Sequence, residues 1–298
     1  MNKEQLTYVI ANQYQGETIR FVLKNEFHFS KKLLATLKAR KSVLLNGSIG
    51  YYSQTVHQGD LLSVDFSYPE ETSVLPEKMD LSIVYEDEDF LCIEKPPFMA
   101  CHPVGTHQHQ TVANGICQYW LDQGAKKKFR PAGRLDRNTS GLMLICQNGF
   151  SQAFFVKSTR KGQVEKTYLA IIDGHLSSCE GIIDMPIGRI LPDRLQRMVC
   201  QEGKPSQTAY RVIQETSQHS LLEIRLLTGR THQIRVHLAH IGHPLVGDTL
   251  YGGSDLKLDR QALHCHRLRF PHPRLSGKWI EITSKLPTDM RRFLDENQ

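Results

Sequence analysis

Gly133-Arg134-Leu135-Asp136-Arg137-Asn138-Thr139-Ser140-Gly141 leads straight into the apolar run Leu142-Met143-Leu144-Ile145-Cys146. That uninterrupted run reads as a short buried strand. Two arginines surround one aspartate just ahead of it, and Thr139-Ser140-Gly141 allows a tight turn whose hydroxyls bond the local backbone. A carboxylate on a loop feeding a rigid strand is a common mount for a reacting group. The same residue types also describe a solvated ion pair worth little. Composition favours the ion pair, and only the order of the residues separates the two.

Downstream, Ser151 stands where it caps a helix carrying Ala153, Phe154, Phe155 and Val156. Over 165–174, Tyr168, Ala170 and Ile172 alternate with Leu169 and Ile171, which predicts a strand. Leu222, Ile224 and Leu226 alternate in the same way until Gly229 breaks the pattern. A helix is expected to begin near Thr231, with Ile234, Leu238 and Ile241 at i, i+4 and i+7. This corner holds Arg230 and Arg235 near a helix start, either as an anion site or as a basic terminus without function. A last strand around 279–282 and a helix capped by Thr288 close the chain.

Upstream, residues 1–68 read as a small separate unit. Ser30 can cap a helix over 31–41 that places Leu33, Leu34 and Leu37 on one face. Lys31, Lys32, Lys38, Arg40 and Lys41 crowd the remainder, as phosphate contacts or as a solvated face. A strand over 42–45 runs into Asn46-Gly47, a strong hairpin turn, and Gly59-Asp60 precedes another strand. Residues 69–80 are polar and proline-bracketed and form the best linker, so the second unit spans 81–298. It opens with two strands around the acidic turn near 86–89, and a helix is expected over 111–122. Lys126-Lys127-Lys128-Phe129-Arg130 is a phosphate-contact candidate or a solvated loop.

Lys plus Arg is 37 and Asp plus Glu is 31, a formal charge of +6, which leaves room for an anionic partner without requiring one. The seven cysteines are scattered with no Cys-x-x-Cys pair, as expected for reduced thiols in a cytoplasmic protein. Met1 to Ile10 has no apolar signal core, and no apolar run approaches the ~20 residues that cross a bilayer. His102, His107 and His109 lie in a loop without a Cys or carboxylate at zinc spacing, so no metal is expected.

Three segments, in order, resemble one family. Arg134-Leu135-Asp136 with Thr139-Ser140-Gly141 resembles the first signature of the RluA-type pseudouridine synthases, with Gly133 where that family often has His. Lys166-Thr167-Tyr168-Leu169-Ala170 resembles its second motif. Thr228-Gly229-Arg230-Thr231-His232-Gln233-Ile234-Arg235-Val236-His237 resembles its third almost letter for letter. The Lys95-Pro96 segment ending in His102-Pro103, the stretch 181–208 with Arg189, Arg194 and Arg197, residues 242–252 and residues 263–273 continue the resemblance. The cationic helix and hairpin of 1–68 loosely resemble an S4-like RNA-binding module.

The resemblance implies an α+β fold: a mixed, mostly antiparallel sheet with flanking helices and a central cleft, preceded by the small S4-like module. It implies isomerisation of uridine to pseudouridine in ribosomal or transfer RNA, by a cytoplasmic monomer without metal or small-molecule cofactor. Asp136 would act at the ribose, attacking C1′ or taking the C2′ proton. Tyr168 would stack on the base and Arg235 would pair with Asp136. Arg134, Arg230, His232 and Lys95 would meet the nucleotide; Lys95 equally reads as the end of a strand. The target base has to leave its stack before it can turn. His264 and His266 alternate along a strand and read as packing or RNA contact, not zinc.

Three other classes fit less well. A glycosidase normally flanks its bond with two carboxylates, and one acid stands inside these motifs. A pure RNA-binding protein explains the basic helix but not the Asp, Tyr and Arg at family positions. A zinc enzyme lacks its ligands.

Overall fold

The computed structural model describes residues 5–105, 107–190, 196–253 and 258–297. Arg194 and residues 1–4 therefore lie outside the described residues. β1 (Gln5–Val9), α1 (Ile19–Asn25), α2 (Lys31–Ala39), β2 (Val43–Leu45), β3 (Ser48–Ile49) and β4 (Leu61–Asp65) make a first unit. Its antiparallel sheet has the order β1-β4-β2-β3. Ser30 caps α2 by accepting the Leu33 N–H at 3.1 Å. Leu34 and Leu37 then point into a core shared with Val43, Leu62 and Val64. Asn46 and Gly47 both have positive φ (51° and 81°), the tight turn that the dipeptide predicts.

The second unit contains β5 (Ser82–Glu86), β6 (Phe90–Lys95), α3 (Val112–Asp122), β7 (Ser140–Cys146), α4 (Gly149–Arg160), β8 (Glu165–Asp173), β9 (Glu180–Asp184), β10 (Ile187–Arg189) and β11 (Arg197–Val199). β12 (Gln207–Glu215), β13 (His219–Leu226), α5 (Gln233–His240), β14 (Leu263–Pro271), β15 (Trp279–Thr283) and α6 (Thr288–Glu296) complete it. The large sheet runs β5-β6-β7-β14-β8-β13-β12-β9, with β15 also on β14. Every pairing is antiparallel except β7 with β14.

Strand alternation decides which side chains share a face. Leu142, Leu144, Tyr168, Ala170 and Ile172 meet Phe155 of α4 and Ile234 and Leu238 of α5 on one face. On the other, Met143 and Ile145 join α3, while Leu169 and Ile171 join α6. All seven residues of β7 are buried, as the apolar run predicts. Gly141 explains the close approach of β14: its φ is +106°, and a Cβ there would lie 2.6 Å from the Cys265 nitrogen. β14 touches β7 only at Ser140 and Gly141 and then turns to β15. Leu142, Leu144, Leu268 and Phe270 line a cavity on the face that carries Tyr168.

Two helix caps differ from expectation. Asn148, not Ser151, is the N-cap of α4; its side chain accepts the Ser151 N–H at 2.9 Å, and Ser151 Oγ accepts the Asn148 N–H at 3.3 Å. Asn at the N-cap with a hydroxyl at N3 forms the same reciprocal pair as a capping box. Thr288 is the first residue of α6 rather than its cap; Pro287 holds that place without a side-chain bond.

The segment 69–80 has no regular structure, yet it is pinned. Glu70 pairs with Arg130 and donates its N–H to the Lys126 carbonyl at 2.7 Å. Val74 is buried with α3, and Glu77 accepts from the Gln110 N–H at 2.9 Å. Within the basic run at 126–130, Arg130 is spent on Glu70 and Lys127 donates to Gln147 at 3.0 Å, while Lys126 and Lys128 stay exposed.

The first unit is also clamped to the second. Phe150 of α4 is buried among Phe27, Phe29 and Phe66. Arg274 covers Phe150, chelates Asp89 at 2.5 and 2.9 Å and donates to the Gln5 carbonyl at 2.6 Å. Asp89 is 1% exposed, so truncating Arg274 strands a buried carboxylate. Arg274→Ala should cost about 3 kcal/mol, the low end for a broken buried pair because the arginine keeps some exposure. Thermal unfolding checks this, and a melting temperature within a degree of wild type would refute it.

Candidate active site

Asp136 sits on the loop ahead of β7, and the loop is fixed from several sides. Ala132 donates to the Leu144 carbonyl at 2.8 Å, running the segment beside β7. Cys101 Sγ donates to the Leu135 carbonyl at 3.1 Å, and the Thr139 N–H returns to the Asp136 carbonyl at 3.1 Å. Ser140 Oγ bonds His264 Nδ1 at 2.9 Å, and Thr139 Oγ1 accepts from Gln261 at 3.1 Å. The hydroxyls of the turn therefore tie the loop to β14 and to the segment just before it rather than to their own backbone.

Lys95 is corrected. It does not line a cleft: it is fully buried, and its Nζ donates to the carbonyls of Pro96 (2.8 Å), Met99 (3.0 Å) and Arg137 (3.0 Å). Burial lowers its pKa to about 8. An amine with three donors spent on three carbonyls is a brace beneath the aspartate loop, not a substrate ligand.

Arg235 lies in the first turn of α5 with its side chain 8% exposed. NH1 donates to Asp136 Oδ2 at 3.0 Å, while Nε and NH2 grip Asp248 at 2.7 and 2.8 Å. Asp136 is therefore one of two partners, and Asp248 holds the fork bidentately. Burial disfavours the charge of Arg235, but the bonds and charges of Asp248 and Asp136 outweigh it and raise its pKa. The Tyr251 ring lies 4.9 Å from the guanidinium carbon.

The helix starts at Gln233, later than expected, because His232 adopts a left-handed conformation (φ 58°) at the N-cap. Such a conformation is uncommon outside glycine and concentrates at functional sites. It brings His232 Nε2 to 3.7 Å from Asp136 Oδ2, with Nδ1 2.8 Å from the Tyr251 hydroxyl. That hydroxyl also accepts the Arg197 N–H at 2.9 Å, so Tyr251 links the His232 ring to the start of β11. Burial lowers the His232 pKa against the opposing pull of Asp136.

Tyr168 is buried, and burial, followed by the Cys265 thiol, pushes its pKa well up, so it is a neutral phenol. Arg134 is exposed and lines the same cavity as Tyr168. Arg230 is exposed and donates to the Pro205 carbonyl at 3.2 and 3.3 Å. α2 ends at Ala39, short of the expected 41: Lys31, Lys32 and Lys38 stand on it, Arg40 is its C-cap and Lys41 follows with a positive φ (54°); all five are exposed, although Arg40 lies over Tyr68 and donates to the Pro69 carbonyl. His264 is buried between Ser140 and Ser284, and burial lowers its pKa to about 4, so it packs as a neutral ring. Among the described residues no three His, Cys, Asp or Glu side chains gather to hold a metal, and no helix is long and apolar enough to cross a membrane.

Asp248 and Tyr251 lie in the stretch 242–252 that continues the family resemblance, but the sequence assigns neither of them a role. Gly247-Asp248 looks like any turn dipeptide, and nothing in its spacing from Arg235 points to a buried fork.

Residues 89–240 match the family model for RNA pseudouridylate synthase, and residues 6–62 match that for the RluD ribosomal pseudouridine synthase N-terminal domain. The chain is 37% identical to the uncharacterized RNA pseudouridine synthase YjbO of Bacillus subtilis, over 90% of this chain and 95% of that relative. It is 34% identical to the ribosomal large subunit pseudouridine synthase D of Escherichia coli K12, over 98% and 94%. Human RNA pseudouridylate synthase domain containing 1 superposes with a TM-score of 0.59 at 28% identity, covering 72% of this chain and 86% of that one. The matched regions take in both units and all three motifs, and the chain belongs to the RNA pseudouridylate synthase family, whose members turn uridine into pseudouridine in RNA.

Proposed function

We propose that this chain isomerises uridines of large-subunit ribosomal RNA, with Asp136 as the reacting carboxylate. The observation that carries the assignment of Asp136 is its 3.0 Å bond to a buried Arg235 on the face that carries Tyr168. The ribosomal target follows the name of the Escherichia coli relative, which matches over nearly its whole length. We place the protein in the cytoplasm as a monomer that uses no metal; the reaction moves no electrons out of the substrate, so it calls for no redox cofactor. The N1–C1′ bond breaks, the uracil turns and C5–C1′ forms; a proton leaves C5 and one is gained at N1. Asp136 attacks C1′ or takes the C2′ proton, and in either role Arg235 holds the carboxylate in place. Tyr168 stacks against the flipped base, His232 sets its ring beside Asp136, and Arg134 and Arg230 meet the RNA at the mouth of the site.

Ribosomal RNA tritiated at uridine C5 should release tritium when incubated with the protein, and cells lacking the protein should lose defined pseudouridines from the large subunit. Release from transfer RNA alone would overturn the ribosomal assignment. The exposed lysines of α2 suit phosphates spaced along a strand. Replacing Lys31, Lys32 and Lys38 together by Gln should flatten the salt dependence of RNA binding by about 2–3 in log–log slope. An unchanged slope would mean that α2 shows only a solvated face.

A further inference from the structure

Two lysines of the second unit lie near the Asp136 loop, and only one has its donors taken by the protein. Lys95 spends all three donors on carbonyls. Lys166 Nζ has no hydrogen bond and no carboxylate among the described residues; the Phe155 ring, 5.9 Å away, is its one cation–π neighbour. The other groups acting on it are the Cys265 and Cys146 thiols, whose pKa values burial raises to about 12, so neither offers an anion. Burial lowers the pKa of Lys166 itself. The residue is half-buried, so its amine keeps some contact with the space beside it while the protein offers it no acceptor.

The surroundings leave room for one. Lys166 lines the cavity together with Gly133, Arg134, Leu135 and Tyr168, so it shares a chamber with the loop that carries Asp136. The remaining walls are largely apolar, and the open space is ≈ 20 Å³, on the scale of one water molecule. Such a space takes a single acceptor atom on the edge of a planar ring and excludes a phosphate. Gly133, the departure from the first family signature, now has a physical reason. A Cβ at 133 would overlap Lys166 Nζ and meets no other group as closely, so the missing side chain is what lets the amine stand beneath the loop.

We propose that Lys166 Nζ donates to a carbonyl oxygen of the flipped uracil and is a base-recognition residue of this enzyme. The inference rests on the reading of the Asp136 site as the place of isomerisation. Uracil offers O2 and O4; cytosine replaces O4 by an amine that an ammonium cannot bond. A site built to hydrogen-bond one group rejects the analogue that lacks it.

The test pairs enzyme and substrate variants: wild type and Lys166→Met, each with RNA carrying uridine, 2-thiouridine or 4-thiouridine at the target. Lys166→Met should slow single turnover on uridine roughly 10–100-fold, the worth of one charge-assisted bond. Wild type should slow on one thiouridine, whose sulfur is a poorer acceptor, and Lys166→Met should lose little more on that same substrate. The thermal midpoint separates recognition from structure. Removing a half-buried amine that makes no bond within the protein should leave it nearly unchanged, whereas Lys95→Met should lower it. Gly133→Ala, which displaces the amine without deleting it, should slow uridine turnover and leave folding intact. Losses that multiply for both thiouridines, or wild-type turnover by Lys166→Met, would overturn the assignment. A wild type that releases no tritium from plain uridine RNA would instead overturn the function on which it rests.

Discussion

Asp136→Asn is expected to reduce tritium release about 10³-fold or more, while RNA affinity and thermal stability hardly move. A single positioned acid or base contributes roughly 10²–10⁴ in rate, and a carboxylate needed as a nucleophile leaves even less behind. Asparagine keeps the shape of the side chain and removes its charge and basicity. The structure explains why the fold should tolerate the change. Arg235 retains Asp248, its bidentate partner, at 2.7 and 2.8 Å, so no buried cation is stranded. Asp136 itself keeps 27% of its side chain exposed and is held by backbone bonds made through Leu135, Arg137 and Thr139. Loss of activity with a wild-type melting curve assigns chemistry to the carboxylate; retention of more than a few per cent of turnover would remove it from the mechanism.

What could be read in the sequence was what local chemistry specifies. The apolar run after Gly141, the alternation around Tyr168 and the Ser30 cap each state their structure within a few residues, and all appear in the fold. The first turn of α5 was legible in its periodicity, and its start was displaced by a left-handed His232 that no propensity foretells. The directions of long side chains were not legible. Lys95 and Lys166 both follow strand patterns, yet one is spent on three carbonyls and the other faces a cavity. Residues 69–80 have a linker's composition, but Glu70 finds Arg130, and Val74 finds the core around α3, only once the chain is folded. Asp248 is the clearest case: its partner lies 13 positions away across a turn.

That partner changes what the third motif's arginines should do when altered. Arg235→Ala should destabilise the protein by about 3–5 kcal/mol, the cost of breaking a buried pair, because Asp248 is 1% exposed and would keep its charge without compensation. Activity should vanish with it, so this variant alone cannot separate a fold defect from a chemical one. Arg235→Lys separates them. One ammonium supplies the charge but not the planar fork, and it cannot span two Asp248 oxygens and Asp136 Oδ2 together. The deeper carboxylate has the stronger claim on it, so stability should largely return while Asp136 loses its alignment and turnover stays low. Asp248→Asn should act from the other side: the fork loses its anchor, Arg235 is left to Asp136 alone, and turnover falls although both motif residues remain. Arg230→Ala should differ from all three. Its guanidinium is exposed and meets only the Pro205 carbonyl, so its loss should weaken RNA binding and lower the salt slope by about one phosphate while the chemical step persists. Urea unfolding, single-turnover rates and RNA affinity for the four variants decide the matter. If Arg230→Ala stops the chemical step while Asp248→Asn leaves it intact, the arginine that holds the reacting carboxylate is Arg230, and the Arg235–Asp248 fork serves only the fold.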